Sequence, residues 1–456
     1  MKELKRAVIL FTRVPEPGKT KTRLMPACTP EECAAIHTDF LRRIAKEAGD
    51  VYADLRVYAT PSVEDPAFRK LFPRGAQFFR QEGEDLGVRM ERALEETLKD
   101  SYDAAVLVGT DLPELTAEDF RCAFRILEQK DVVLGPTGDG GYWLIGLTAP
   151  NHAPFEPKEY GVGSVFEKTL DGIRAAGLTV GTVRTLDDVD TPEDLDAYRE
   201  RARRKRAGEL PFPKTELPAD VRLSVIIPSY NEMTTLPTLL PQLEPYRDGV
   251  SAWKDRIEFL FADGGSTDGT VEYLTEQGWP VLQTAKGRAN QMNEAALQTT
   301  GDVLFFLHCD SEVPPDFPEE IFEVLKTREA GCFGIDYRTG GLGMKVNAVY
   351  ANRVRLRRQH IMFGDQGIFL TRDLLQKAGM FPPLPLMEDL QLSLSLRDMG
   401  VVPGLTKHRI YTSPRRHPDK NFFKQMISLH QYPELRKLYR NGAPMEEIVR
   451  RYKDIR

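Results

Sequence analysis

The second half of the chain places carboxylates next to apolar runs, where they could hold a metal ion or accept a proton. Asp310 ends the run VLFFLHCD, and the pair Glu388 and Asp389 precedes the run LQLSLSL. A carboxylate at a strand end can bind Mg²⁺ or Mn²⁺, because both ions prefer oxygen ligands. An acid pair can supply a general base, although it also stabilises a helix N-terminus without any catalytic role. The pattern predicts a divalent metal, Mg or Mn, at Asp310 and a general base within the acid pair.

Other motifs of the second half carry groups that suit a nucleotide. SVIIPSYNE brings an aromatic face, an amide and an acid to a strand end, and FLFAD ends in an acid before two glycines. An acid at a strand end can bind ribose hydroxyls, and arginines at a helix start or in a pair can bind phosphates. Each motif is also compatible with an ordinary turn, a helix cap or a solvated charge run. The candidate nucleotide-binding residues are Tyr230, Glu232, Asp263, Arg288, Arg415 and Arg416.

The first half has its own candidate nucleotide site. The loop FTRVPEPGKTKTRLMP combines a glycine with several cations, which suits a nucleoside di- or triphosphate, although it lacks the spacing of a P-loop and could be a generic basic loop. Asp111 in GTDLPEL and Asp190 in LDDVDTPEDL could converge on one divalent metal, as acids do in nucleotidyl transfer. GPTGDGGYWLIGL adds an acid and glycines that allow close backbone approach to a ligand. The predicted nucleotide-binding residues of this half are Gly18, Lys21, Arg23, Asp139 and Gly140.

Strands alternate with helices in both halves, and this order predicts two α/β domains with mostly parallel sheets. A proline-rich stretch without periodicity separates them, so we expect domains at 1–207 and 221–456 with a linker at 208–220. Each half has an apolar strand that ends in an acid, Asp111 or Asp310, and a second acid about 79 residues later, a spacing that could be coincidental. Ligands of open α/β sheets bind at the carboxyl ends of strands. We therefore expect two tandem domains of related architecture, each with a site at that edge.

The ordered motifs of residues 221–418 resemble the inverting glycosyltransferase family 2, and within it the bacterial subgroup labelled arsenosugar-biosynthesis glycosyltransferases. The resemblance implies a GT-A fold, a nucleotide-sugar donor, metal binding by Asp310 as the last acid of an Asp-x-Asp motif, and Asp389 as the general base. His308 stands where the first acid of that motif is expected. The Gln-x-x-Arg-Trp motif of processive synthases is absent, which favours a single transfer. The residues that match the family's nucleotide-binding positions are Pro228, Tyr230, Glu232 and Asp263.

The motifs of about residues 5–200 resemble a bacterial family of GT-A-like proteins that is related to the molybdenum cofactor guanylyltransferases and 2-phospho-lactate guanylyltransferase. Relatives of this architecture transfer nucleotidyl groups or sugars. The resemblance implies two tandem GT-A-like domains, that is, nucleotide-diphospho-sugar transferase or Rossmann-like domains. The leading hypothesis is an enzyme with two such domains. Its C-terminal domain transfers a sugar from a nucleotide sugar to an acceptor hydroxyl with inversion, and its N-terminal domain binds, and could form, an activated nucleotide compound.

Composition limits the partners and the location. The chain has 456 residues, of which 41% are hydrophobic and 29% charged, as in soluble globular proteins. Five cysteines without a CxxC pair, no apolar run of spanning length and no signal-peptide pattern predict a cytoplasmic location. The net charge of -6 argues against nucleic acid as the partner. The segment 407–456, however, has 13 Lys and Arg against 5 Asp and Glu, so this basic tail suggests a local anionic ligand.

Two alternatives remain open from the sequence. The first is a peripheral-membrane glycosyltransferase with a lipid or carotenoid acceptor and a non-catalytic N-terminal domain. Arg353, Arg355, Arg357 and Arg358 beside the apolar stretch 346–354 suggest it, although we do not expect membrane binding. The second is a non-catalytic scaffold that binds a nucleotide or a carbohydrate, which the acids at both predicted metal sites disfavour. The acceptor stays unknown, and the expected ligands are a nucleotide sugar, a nucleoside triphosphate or both.

Overall fold

The computed structural model describes residues 4–156, 164–207, 220–248, 253, 255–337, 342–412 and 433–452. The chain divides into two compact units, Met1–Glu209 and Leu210–Arg456. We call them the N-terminal and C-terminal domains and describe each by itself. The predicted linker, 208–220, lies outside the described residues except for its last residue.

Within its described residues the N-terminal domain contains one seven-stranded sheet of order β3-β2-β1-β4-β6-β5-β7. Only β6 runs antiparallel to its neighbours, β4 and β5. The strands are β1 (Arg6–Arg13), β2 (Asp54–Thr60), β3 (Gln77–Arg80), β4 (Ala104–Gly109), β5 (Val132–Pro136), β6 (Tyr142–Leu147) and β7 (Val180–Thr182). The helices are α1 (Pro30–Gly49), α2 (Pro66–Arg69), α3 (Leu86–Lys99), α4 (Ala117–Leu127), α5 (Val165–Ala175) and α6 (Pro192–Ala207).

The C-terminal domain contains, among its described residues, an eight-stranded sheet of order β10-β9-β8-β11-β14-β13-β15-β12. Here β14 and the short β12 run antiparallel to their neighbours. The strands are β8 (Leu223–Ser229), β9 (Ile257–Asp263), β10 (Val281–Gln283), β11 (Val303–Phe306), β12 (Ser311–Glu312), β13 (Ala330–Asp336), β14 (Ile368–Thr371) and β15 (Gly404–Thr412).

The described part of this domain contains a helix of residues 433–440 and nine further α-helices. They are α7 (Leu236–Arg247), α8 (Thr270–Glu276), α9 (Arg288–Gln298), α10 (Phe317–Leu325), α11 (Leu342–Tyr350), α12 (Leu356–Gln359), α13 (Arg372–Lys377), α14 (Glu388–Asp398) and α15 (Met445–Arg451). A π-helix, Ala351–Arg355, joins α11 to α12, and residues 433–440 are also helical.

Each sheet is covered on both faces, because alternate residues of its central strands enter different apolar clusters. In β1, Val8 and Leu10 belong to one cluster, while Ala7 and Ile9 belong to another. In β8, Val225 packs into one cluster and Ile226 into a second. Successive side chains of a strand point to opposite faces, so these near-continuous apolar runs are typical of central parallel strands. The predicted fold class, two tandem α/β domains with mostly parallel sheets, is confirmed.

Candidate active sites

The C-terminal centre lies at the carboxyl edge of β8, β9 and β11, which are neighbours in the sheet. Pro228 is the penultimate residue of β8, Asp263 is the last residue of β9, and Asp310 follows β11. The Cys309 thiol lies 3.6 Å from the carbonyl oxygen of Pro228, so the loop that carries Asp310 contacts the end of β8. Neighbouring parallel strands thus bring three motifs of the sequence to one edge.

Asp263 and Glu232 are both buried and hydrogen-bonded within their own loops. The carboxylate of Asp263 accepts hydrogen bonds from the backbone N–H groups of Gly265 at 2.9 Å and Ser266 at 2.8 Å. The carboxylate of Glu232 accepts a hydrogen bond from the Thr235 hydroxyl at 3.0 Å. These acids stabilise the loops at the strand ends, and a contact of either acid with a nucleotide stays a prediction.

Tyr230 is partnered by a lysine that the sequence did not single out. The ammonium of Lys286 lies 3.0 Å from the Tyr230 hydroxyl and 4.1 Å from the centroid of its ring. A cation over an aromatic face fixes the ring and leaves a positive charge beside it. Lys286 is therefore a candidate phosphate-binding residue, next to Gly287 and the start of α9.

Arg288 brings the predicted acids of this centre together. Its Nη1 donates a hydrogen bond to Glu388 Oε1 at 3.3 Å, across 100 residues of sequence. Burial disfavours the charged guanidinium, but the charges of Glu388, Asp389 and Asp310, and of Tyr452 where its phenol is ionised, raise the pKa of Arg288 above its usual value. Arg288, predicted to meet a phosphate, thus lies among the predicted base and the predicted metal ligand.

Asp389 is oriented by backbone donors on both of its oxygens. Gly364 N–H donates to Oδ2 at 2.9 Å, and Leu390 N–H donates to Oδ1 at 2.7 Å. A Cβ at position 364 would lie 2.6 Å from His308 Nε2 and 3.6 Å from Asp389 Oδ2, so the backbone passes close to both side chains. The carboxylate is held in one orientation, as a positioned base requires. Arg415 and Arg416 lie outside the described residues.

The N-terminal centre joins the basic loop to the acids that follow β4 and β7. Lys21 has φ +48 and a side chain that is only 3% exposed. Its Nζ lies 2.5 Å from Asp111 Oδ1, 3.6 Å from Asp190 Oδ1 and 2.6 Å from the carbonyl oxygen of Val189. Arg23 Nη1 lies 3.5 Å from Asp190 Oδ2 and is exposed. The two predicted metal ligands therefore share the ammonium of Lys21.

The pKa values of the acids in this centre are shifted in different directions. Burial alone would raise the pKa of Asp111, but His37 and Lys21 lower it to about 2. Burial and the neighbouring carboxylates of Asp190, Asp139 and Asp111 raise the pKa of Asp188 to about 6. Burial and Asp111 also raise the pKa of Asp190, although Lys21 opposes this. The cationic partners therefore stabilise the charged form of Asp111, whereas burial and the neighbouring carboxylates disfavour the charged forms of Asp188 and Asp190.

Asp139 and Gly140 lie in a tight turn after β5. The Asp139 carboxylate accepts hydrogen bonds from the Thr137 hydroxyl at 2.5 Å and from Gly141 N–H at 3.1 Å. Gly140 has φ +86, and Gly18, in the basic loop, has φ +76 with no atom within 4 Å of a Cβ built on it. Both glycines adopt a backbone conformation that other residues rarely do.

The donor sets of both centres fit a divalent metal. Burial and, after it, the neighbouring carboxylates raise the pKa of Asp188, and a cation among Asp111, Asp188 and Asp190 would favour its charged form. In the C-terminal centre Asp310 offers a carboxylate, which Mg²⁺ and Mn²⁺ both accept. A separate group, Asp316, Glu320 and His408, has ligand atoms within 4.8 Å of one another and contains none of the predicted ligands.

Two family models match the chain. Residues 43–162 match the model for uncharacterized proteins conserved in bacteria, DUF2064, and residues 224–372 match glycosyl transferase family 2. Both family resemblances predicted from the motifs are confirmed.

Relatives of known sequence match parts of the chain. An uncharacterized glycosyltransferase of Mycobacterium tuberculosis is 32% identical over 127 residues, 26% of this chain and 47% of its own length. The chain thus spans about half the length of this relative. A phosphoenolpyruvate guanylyltransferase of Sphaerobacter thermophilus is 28% identical over 183 residues, 39% of this chain and 84% of its own length. A crystal structure from Desulfovibrio desulfuricans G20, provisionally described as a nucleotide-diphospho-sugar transferase, is 31% identical, with a TM-score of 0.41, and covers 43% of this chain and 87% of its own.

Three residues of these centres were missed by the sequence reasoning. His37 lies 3.6 Å from Asp111, yet in the sequence it is one polar position inside the long helix α1. Lys286 stands in a loop before a glycine, where a single lysine is common. Tyr452 lies 36 residues after Arg416, the last residue predicted for the site, and only the fold brings it to Arg288.

Proposed function

From the glycosyl transferase family 2 domain that its C-terminal half carries, we propose that this protein transfers a sugar from a nucleotide sugar to an acceptor hydroxyl with inversion. The observation that carries the proposal is the packing of Arg288 and the acid pair beside the loop of Asp310: Arg288 Nη1 lies 3.3 Å from Glu388 Oε1, and the backbone of Gly364 passes close to both Asp389 and His308. A base, a cation and a potential metal ligand are the groups that such a displacement needs.

The proposed reaction is a single in-line displacement. Asp389 accepts the proton of the acceptor hydroxyl, and that oxygen attacks the anomeric carbon from the face opposite the leaving group. The bond between the anomeric carbon and the diphosphate breaks, and the nucleoside diphosphate leaves with the electron pair. Arg288 stabilises the negative charge that develops on the diphosphate, and Lys286 lies close enough to the same edge to assist. The configuration at the anomeric carbon is inverted because only one displacement occurs.

Asp310 would hold the divalent metal, with His308 in the position of the missing first acid. A bound Mg²⁺ or Mn²⁺ would neutralise the diphosphate as it departs. An imidazole accepts Mn²⁺ more readily than Mg²⁺, which binds almost only oxygen. Replacement of the first acid by histidine therefore favours Mn²⁺ as the ion of this domain.

The test is metal-dependent release of nucleoside diphosphate from a set of nucleotide sugars that includes UDP-glucose and GDP-mannose. Asp389→Asn keeps an oxygen for the Gly364 N–H but removes the base, so release falls by at least about 10²-fold. Asp398→Asn, at the other end of the same helix, is the matched control and retains activity. Full activity of Asp389→Asn would show that Asp389 is not the general base. Release from no donor by the wild-type protein would favour the non-catalytic scaffold.

For the N-terminal domain we propose a nucleotide site in which the exposed Arg23 faces phosphates and Asp111 and Asp190 hold a divalent metal. The ammonium of Lys21, which the two acids share, then turns from them to the phosphates. The function that fits is formation of an activated nucleotide compound by nucleotidyl transfer. GTP and the other nucleoside triphosphates, each with Mg²⁺ or Mn²⁺, are the probes. Asp190→Asn is expected to abolish the metal-dependent shift in melting temperature, while Asp196→Asn, on the exposed side of α6, is expected to retain it.

A second candidate function is transfer at a membrane surface, because α11 exposes an apolar stripe. Val346, Val349 and Tyr350 are exposed at spacings of three and four residues, and the exposed Arg353 continues the stripe. Among the described residues, no helix is both long and apolar enough to cross a bilayer. Val349→Glu would weaken co-sedimentation with anionic liposomes, and Leu297→Glu, an exposed leucine of α9, would not. If the wild type and both variants sediment to the same extent with and without liposomes, this candidate function is excluded.

A further inference from the structure

The C-terminal segment 433–452 packs against the part of the fold that carries the proposed base. Its buried side chains belong to one apolar cluster with residues around the start of α14. The members on the α14 side are Ile361, Leu384, Met387, Leu390 and Leu394, and those of the C-terminal segment are Leu435, Tyr439, Met445 and Ile448. The segment therefore covers the first turns of the helix that begins with Glu388 and Asp389.

The chain enters α14 through a strained residue. Met387 has φ +69 and ψ +17, the left-handed conformation that non-glycine residues rarely adopt. Such a conformation persists only where the surroundings impose it. The Met387 side chain is buried in the same apolar cluster, so the C-terminal segment supplies part of that constraint. The direction in which Glu388 and Asp389 leave the turn depends on this packing.

The loop that donates a hydrogen bond to Asp389 Oδ2 also contacts the segment 433–452. Gly364, which donates to Asp389 Oδ2, follows Phe363 in the chain. Phe363 packs on the apolar cluster, and the guanidinium carbon of Arg436 lies 5.4 Å from its ring centroid. Both donors that orient Asp389 are therefore adjacent in sequence to residues that the segment covers.

One buried hydrogen bond links the segment directly to α14. The hydroxyl of Tyr439, a fully buried side chain, donates to Gln391 Oε1 at 2.5 Å. Gln391 is also buried and lies two residues after Asp389. A buried bond of this kind fixes the rotation of the first helical turn, because leaving either partner unpaired is unfavourable.

We propose that the segment 433–452 is an integral part of the sugar-transfer centre and that Tyr439 is a positioning residue for Asp389, an inference that rests on the function proposed above. Tyr439 acts through Gln391 and the first turn of α14 and does not touch the substrate. Removal of the Tyr439 hydroxyl leaves the proposed donor-binding loops at the ends of β8 and β9 unchanged. The effect of its loss is on turnover, not on donor affinity.

The test compares Tyr439→Phe with Tyr246→Phe in the full chain. Tyr246 is the control, because its side chain is also buried and its hydroxyl makes a partly buried hydrogen bond, to the carbonyl oxygen of Pro315, in the same domain but in another apolar cluster. Release of nucleoside diphosphate from the donor found in the screen is measured for both. We expect kcat of Tyr439→Phe to fall about tenfold with an unchanged donor KM, since small displacements of a reacting group reduce the rate steeply. Tyr246→Phe keeps the wild-type values.

A mutant cycle and hydrogen exchange complete the test. Gln391→Leu and the double variant with Tyr439→Phe should lose no more turnover than Tyr439→Phe alone, since both changes remove the same bond. Amide exchange in peptides that span 361–366 and 386–392 should accelerate in Tyr439→Phe but not in Tyr246→Phe. Unchanged exchange in those peptides, or a loss of kcat equal to that of the control, would overturn the inference. If the wild-type protein cleaves no donor, the proposed function fails, and the exchange data still decide whether Tyr439 orders the turn.

Discussion

At residue scale, Gly364 shows how little space separates the groups of the C-terminal centre. A side chain there would meet His308 at 2.6 Å, a distance at which one of the two must move. Gly364→Ala is therefore expected to displace His308 or to lengthen the bond from Gly364 N–H to Asp389, and to reduce nucleoside diphosphate release by about 10- to 100-fold.

Gly334→Ala is the control for that measurement. The nearest atom to its added Cβ is Arg409 Cγ at 3.2 Å, on a half-exposed side chain that can move. We expect near wild-type release from this variant. Equal losses in the two variants would indicate a general loss of packing and would contradict a specific role of Gly364.

Glu329 predicts a pH dependence of stability in the same domain. Burial raises the pKa of its carboxyl to about 7 from a usual value near 4.5, with Asp373 adding to the shift and Lys377 opposing it. Because the folded state holds the proton more tightly, the stability contributed by Glu329 is fully present below about pH 4.5 and is lost as the pH rises towards 7. Glu329→Gln should therefore melt about 2 °C or more above the wild type at pH 8 and at the same temperature at pH 4.5.

Glu323→Gln is the appropriate comparison for Glu329. This side chain is exposed, and its hydrogen bond to Lys326 lowers the pKa of its carboxyl, so its pH dependence has the opposite sign. Melting curves recorded by circular dichroism between pH 4.5 and pH 8 would decide the matter. A constant difference between Glu329→Gln and wild type over that range would refute the prediction.

At element scale, the left-handed turn before α14 can be tested by a pair of methionines. Met387 and Met380 both have positive φ, at +69 and +64, but only Met387 contacts the C-terminal segment. Glycine relieves the backbone strain at both positions and removes the side chain. Met387→Gly is expected to reduce turnover about tenfold, because the turn that aims Asp389 loses its packing, whereas Met380→Gly retains turnover. Steady-state kinetics with the same donor measure both, and equal turnover would show that the backbone alone sets the turn.

Helix starts could be predicted from the sequence because their signals are local. Thr29 accepts a hydrogen bond from Glu32 N–H, and the Glu32 carboxylate accepts one from Thr29 N–H, as the sequence Thr-Pro-Glu-Glu predicts. Strand ends are harder to predict from the sequence, since β11 ends at Phe306 although the run VLFFLHCD continues to Asp310. Leu307 and Cys309 are buried without being in a strand, so hydrophobicity alone does not mark where the sheet ends.

The candidate site could be predicted only as separate motifs. Arg288 and Glu388 are 100 residues apart, and no local pattern indicates that they pair. The sequence likewise contains no sign that Lys21 lies against Asp111 rather than in solvent. Pairings of this kind depend on strand order and on a left-handed residue such as Met387, which tertiary packing imposes against local preference.

At the scale of the whole molecule, the strands of the two sheets can be matched one to one across the sheet, from β3 and β10 at one edge to β7 and β15, and β12 of the larger sheet has no counterpart. In this matched order the antiparallel strands β6 and β14 occupy the same place. Asp111 and Asp310 follow equivalent strands, β4 and β11. The second acids are not equivalent, because Asp190 follows the last strand of its sheet, whereas Asp389 precedes β15. The equal spacing of the acids is thus a coincidence, and the proposed metal ligand Asp190 and the proposed base Asp389 belong to different parts of the shared fold.

Two compact units, each with acids at its own strand ends, predict two nucleotide sites per chain. We expect equilibrium dialysis with Mn²⁺ and a mixture of GDP and UDP to find two occupied nucleotide sites per chain. Asp190→Asn should remove one site and leave nucleoside diphosphate release from the sugar donor intact. Asp310→Asn should remove the other site and abolish release, because the acid it replaces is the proposed metal ligand of the proposed sugar-transfer centre. Loss of both nucleotide sites in either single variant would show that the two domains do not bind nucleotides independently. A single occupied site in the wild-type protein would restrict nucleotide binding to one domain.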